Sequence, residues 1–146
     1  MAAPAAKRGS ARTKARKRAL DILFEADLRQ EAIPAILQAH LDLAEPPIRE
    51  FTTELVEGVA AHQGAIDEAI AAALSQGWTL ERMPRVDRNL ARIAVYEILF
   101  TDLTPTVAVA ECVALAQDLS TDESSTFLNG LLGGVVGQRT ARPDTE

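Results

Sequence analysis

Arginine and lysine are crowded at the start of this chain. Lys7, Arg8, Arg12, Lys14, Arg16, Lys17 and Arg18 fall within the first eighteen residues, with no acid among them. The other 128 residues hold 8 basic against 21 acidic side chains, so a strongly positive opening is carried on an acidic body. Guanidinium and ammonium groups at this density suit a phosphate backbone, through charge-assisted hydrogen bonds and counterion release. Arg8, Arg12, Lys14, Arg16 and Lys17 are therefore the candidate nucleic-acid-binding side chains. The run also heads into a helix, where basic residues near the N-terminus oppose the macrodipole at roughly 0.3–1 kcal/mol each. Stability alone would favour acids there, which points to an external polyanion. A solubilising tail and the wet face of a surface helix are the bland alternatives. A targeting presequence fits less well, because the same helical pattern continues into Asp21, Glu25 and Asp27.

Other chemistry finds little support. His40 and His62 have no Cys or His at ligand spacing, so no metal site is expected. Cys112 is the single cysteine and has no internal disulfide partner. It fits a reducing cytoplasm and a small core position. Gly130, Gly133, Gly134 and Gly137 follow no strand and precede no Gly-Lys-Ser/Thr element, so they read as close helix packing rather than a phosphate loop. Asp21 and Glu25 lie one helical turn apart with nothing to draw them into a pocket. No catalytic motif and no cofactor site emerge, and the expectation is a protein that is not an enzyme. No apolar run approaches the roughly 18 residues needed to cross a membrane.

The elements that must position the basic cluster read as all-α. From 12 to 30 there is neither Gly nor Pro, and Ala15, Ala19, Leu23 and Ala26 form one apolar stripe. Further helices are predicted over 35–44, opened by Pro34; over 48–61, with Phe51, Leu55 and Val59; and over 65–74, with Ile66, Ile70 and Leu74. Gly77 breaks the pattern, and residues 78–83 form a short turn before Pro84. The most apolar helix spans 86–100, followed by 108–119 and a last helix carrying Phe127, Leu128, Leu131 and Leu132. Ser120 and Glu123 have the spacing of a capping box at its start. The domain reading is a flexible basic arm over 1–11, one helical domain over 12–137 and a flexible tail over 138–146.

Three stretches, in this order and spacing, resemble the transcription antitermination factor NusB family. They are RTKARKRALDILFEA at 12–26, VDRNLARIAVYEIL at 86–99, and AECVALA at 110–116 joined to FLNGLL at 127–132. The resemblance implies about seven helices in two stacked helical subdomains and no catalytic activity. It implies binding to boxA-type single-stranded RNA of nascent ribosomal RNA transcripts, as a heterodimer with the ribosomal protein NusE, within an RNA polymerase antitermination complex. It places Arg12, Lys14 and Arg16 on the family's arginine-rich RNA motif and Phe127 on an RNA-contacting aromatic. Phe24, Asp87 and Glu123 fall on positions tied to the partner surface. Phe127 keeps a second reading as part of a buried stripe with Leu128 and Leu131.

Two rival functions stand beside this one. The RNA-binding module of certain ribosomal RNA methyltransferases shares the helical pattern, but its catalytic half would require an α/β domain after residue 146. A helical DNA-binding regulator would need its charge on a helix pair reaching the major groove, whereas here the charge is N-terminal. An uncovered apolar helix face would in addition make a homodimer surface.

Overall fold

Ser10 starts the first helix. Its hydroxyl oxygen accepts the Thr13 amide at 3.1 Å, satisfying one of the unpaired donors of the opening turn. The structure is a computed structural model that describes residues 10–43 and 47–141. Its elements are α1 (Ala11–Arg29), α2 (Ile33–Leu43), α3 (Glu50–Ala61), α4 (Gln63–Ala73), a 3₁₀ turn (Leu80–Arg82), α5 (Arg85–Phe100), α6 (Pro105–Leu119) and α7 (Asp122–Ala141). No strand occurs among the described residues. The seven expected helices are all present, and their ends move for local reasons. Pro105 takes the first turn of α6, where its missing N–H costs nothing, so that helix begins three residues early. At α7 the cap is Thr121 rather than Ser120: the Thr121 hydroxyl accepts the Ser124 amide at 3.0 Å. The same helix continues past Gly137 to Ala141.

α1, α2 and α3 pack on one another, and α4, α6 and α7 surround α5. α5 also packs on α1 and α3, so the two stacked subdomains share one continuous core that includes Ile22, Leu23, Leu55, Ile70, Leu90 and Leu132. Two close approaches set the spacing. Gly58 on α3 lies directly beneath the Tyr96 ring of α5, in space a Cβ would fill. Gly134 brings α7 against Ala73 of α4, where a Cβ would sit 3.2 Å from the alanine methyl. Gly130, Gly133 and Gly137 face open space, so the close-packing reading of the glycine series holds for Gly134 alone.

α1 runs antiparallel to α5 and is tied to it at both ends. At its start Arg16 meets Glu97, and at its end Asp27 meets Arg88 and Asn89. One Asp27 oxygen accepts from Arg88 Nε and Asn89 Nδ2, each at 2.9 Å, and from Arg92 at 3.4 Å. Arg92 in turn grips both oxygens of Asp67 at 2.9 and 3.1 Å. Burial pushes the Asp27 carboxyl up, but the hydrogen bonds from Asn89 and Arg88 and the nearby charges outweigh it. The group ends below the ordinary aspartate value of 3.8. The native state therefore holds this proton less readily than the unfolded chain. The resulting stabilisation is complete above pH 3.8 and disappears as pH falls through the lower native value. Asp27→Asn should cost about 3 kcal/mol at neutral pH by leaving the buried Arg88 without its carboxylate. In urea titrations across acid pH, the gap between variant and wild type should close below pH 3.8.

Candidate nucleic-acid interface

The basic residues of α1 divide into two sets. Arg16 lies on the inner stripe with Leu20 and Leu23 and is only 4% exposed. Its Nε and Nη2 grip Glu97 of α5 at 2.9 and 2.8 Å, while Nη1 reaches Glu111 of α6 at 3.2 Å. Both glutamates are buried, and Thr13 also donates to Glu111, at 3.3 Å. The Arg16 guanidinium further lies 5.2 Å from the centre of the Phe51 ring. Each of its three guanidinium nitrogens donates to a buried carboxylate. This corrects the expectation that Arg16 meets RNA: it is a structural clamp joining α1, α5 and α6.

Arg12, one turn earlier, is exposed and stacks over the same Phe51 ring at 4.0 Å. A cation held over a ring keeps its N–H edge free for an anion while its stem is ordered. Lys14 and Lys17 are exposed on the outer side of α1. Arg18 is half-buried, with Nη2 3.4 Å from His40 Nδ1, and His40 Nε2 lies 2.7 Å from Glu25. Because arginine can only donate, Nδ1 accepts and Nε2 carries the proton given to Glu25. That hydrogen bond, with another from Arg29, holds the Glu25 carboxyl below its ordinary value. The displayed cations are thus Arg12, Lys14 and Lys17. Arg8 lies outside the described residues.

At the opposite end of α1 a second group assembles. Phe127, just inside α7, is half-buried, packed on the core and tilted against Trp78, with ring centres 5.5 Å apart. Phe127 thus belongs in part to the buried stripe and leaves part of its ring open. Glu123 is exposed on the first turn of α7. Phe24 is half-buried on α1, one turn from Leu28, which is 54% exposed. Asp87 is not at the surface: it is 2% exposed and accepts from Ser120 at 2.9 Å and Ser124 at 2.7 Å. The expected partner residue is instead the bolt that fixes the start of α7 to the start of α5. Sequence reasoning missed Trp78 as a neighbour of Phe127. The available signal was the chain's sole tryptophan placed beside a turn glycine.

Cys112 is buried with its thiol toward the Leu90 carbonyl, and burial pushes its pKa up, so it is poorly disposed to act as a nucleophile. No group of residues suited to a metal ion occurs among the described residues. Nor is any helix there long and apolar enough to cross a membrane.

Comparison with known proteins gives this geometry a family. The NusB family model matches residues 13–136. The chain belongs to the NusB family. The transcription antitermination protein NusB of Acidothermus cellulolyticus is 56% identical over 126 residues, covering 86% of each chain. Among solved structures, T. maritima NusB superposes with a TM-score of 0.76 at 27% identity, over 88% of this chain and 92% of its own. A structure of the antitermination factors NusB and NusE in complex with double-stranded RNA matches with a TM-score of 0.76 at 24% identity, over 87% of this chain and 96% of that one.

The division of the basic residues has a direct test. Arg16→Ala should cost roughly 3–5 kcal/mol in urea unfolding, because Glu97 and Glu111 would remain buried without their cation. Arg16→Lys should recover only part of this, since an ammonium cannot reproduce the two-toothed grip on Glu97. Lys14→Ala and Lys17→Ala should each stay within about 0.5 kcal/mol of wild type.

Proposed function

We propose that this chain is a transcription antitermination factor that binds boxA-type single-stranded RNA of nascent ribosomal RNA. In this reading it acts together with a NusE-type ribosomal protein, inside an RNA polymerase antitermination complex. The observation that carries the reading is the exposed, rigidly seated basic start of α1, in a chain of the NusB family. Arg12, Lys14 and Lys17, with Arg8 of the arm, supply phosphate contacts, and Phe127 supplies a ring for a base. The solved relative captured with NusE and RNA supports the pairing of partners. Phe24 with Leu28, and Glu123, are the partner-side residues in this reading, and the complex works in the cytoplasm where transcription takes place.

Phosphate contacts leave a salt signature. Each one lost should flatten the log–log salt dependence of single-strand binding by about 0.7. Changing Arg12, Lys14 and Lys17 together to Ala should therefore reduce the slope by about 2, with the helical circular dichroism retained. Fluorescence anisotropy with a labelled boxA-type strand, with and without the ribosomal partner, makes the measurement. The partner should tighten binding, and Phe24→Asp should remove that gain while leaving RNA binding by the isolated chain intact. Equal affinity for a scrambled strand in the presence of the partner would overturn the boxA assignment.

A further inference from the structure

Trp78 is the chain's only tryptophan, and it is 44% exposed on the connection between α4 and the 3₁₀ turn. An indole left this open forgoes a large share of the burial that usually holds it in place. Its position is nonetheless closely fixed. Gly77 adopts φ +92°, a left-handed conformation that a side chain would resist. The Trp78 amide donates to the Ser75 carbonyl at 3.0 Å. Thr79 caps the following turn by accepting the Arg82 amide, and Arg82 Nη1 donates back to the Gly77 carbonyl at 2.8 Å. That last bond brings the Arg82 guanidinium over the Trp78 ring, 5.7 Å from its centre, and the Phe127 ring packs tilted against the indole with centres 5.5 Å apart. The result is a braced, partly open aromatic surface with a cation over one part of it.

We propose that Trp78 is a base-stacking residue, forming with Phe127 and Arg82 a platform for one nucleobase of single-stranded RNA. The inference rests on the RNA-binding reading above and extends it to two residues outside the arginine-rich motif. Stacking on an aromatic ring needs no particular base, and a neighbouring arginine adds a second planar face. Glu81, Asp122 and Glu123 flank these residues in sequence and are exposed. A phosphate is thus a poor occupant of this surface and a base a good one. The two ends of α1 divide the work: the basic start takes backbone charge, and the tryptophan end takes a base.

The single tryptophan makes the test direct. The full chain is titrated with a short boxA-type single-stranded RNA, following tryptophan emission and, separately, the anisotropy of the labelled strand. Trp78 emission should be quenched along the same isotherm as the anisotropy change. Trp78→Ala should weaken binding about five- to hundredfold, with the salt slope unchanged, whereas loss of the α1 cations flattens that slope. Trp78→Phe should restore most of the affinity, which a purely structural role for the indole would not require. If RNA binds while emission and the Trp78→Ala affinity stay at wild-type values, the platform is wrong and the RNA reading stands. If the wild type binds no RNA, alone or with the ribosomal partner, both fall together. Weaker binding of Trp78→Ala to the ribosomal partner in the absence of RNA, with RNA affinity intact, would make this a protein surface and overturn the proposal. Should Trp78→Ala fail to fold, the wild-type emission titration and Trp78→Phe decide the matter.

Discussion

The grip of Arg16 on Glu97 and Glu111 is the constraint from which the rest of the molecule follows. One guanidinium holds α1 to α5 and α6 across a dry contact, and its two carboxylate partners lie 81 and 95 residues further along the chain. Buried charge is costly to desolvate, so the cluster contributes less to net stability than to uniqueness of arrangement. Its geometry allows one register between α1 and α5. Once that register is set, Asp27 must fall beside Arg88 and Asn89 at the far end. Arg12 must likewise fall over the ring of Phe51, and Lys14 and Lys17 on the open side.

This arrangement separates two tasks that the same residue type performs. Arginine inside the protein fixes helices, and arginine outside it is displayed to solvent. The cationic edge is not a loose appendage, because the helix that displays it is also a core element. Both polar clamps on α1 lie on the face opposite Lys14 and Lys17, so the displayed charges can vary without disturbing the packing. A related economy operates at α7, where Asp87 satisfies Ser120 and Ser124 and thereby sets the direction in which Phe127 leaves the first turn. Asp87 bears on any surface at that end only by orienting α7.

Most of the helical framework was legible in the sequence because each helix writes its own apolar stripe within a dozen residues. The stripe of Ala15, Ala19, Leu23 and Ala26 needs no knowledge of what it packs against. Ends were less legible, since a cap depends on which of several hydroxyls wins. Ser120 and Thr121 are equally good caps in isolation, and Ser120 is drawn away by Asp87, which is remote in sequence. The sorting of like charges was illegible for the same reason. Arg12 and Arg16 differ in fate because Glu97 and Glu111 lie opposite one and not the other. One trace was available: Arg16 and Asp27 bracket Leu20 and Leu23 on a single helical face, an unusual place for two charges. The meeting of Trp78 with Phe127 joins residues 49 apart and left no periodic mark.

The outward glycines of α7 make that helix uneven along its length. Gly130, Gly133 and Gly137 meet nothing, so each forfeits about 0.8–1 kcal/mol of helix propensity relative to alanine with no packing gained in return. The first turns are bolted down by Asp87 and by buried Leu128, Leu131 and Leu132. Beyond them Val135 and Val136 pack on the core, and the contact of Gly134 with Ala73 and the bond from Gln138 to the Ala69 carbonyl tie the helix to α4. Amide protons should therefore exchange in a gradient along this one helix, fastest toward its C-terminus. The chain can loosen its last turns without releasing the ring that the first turns hold in place.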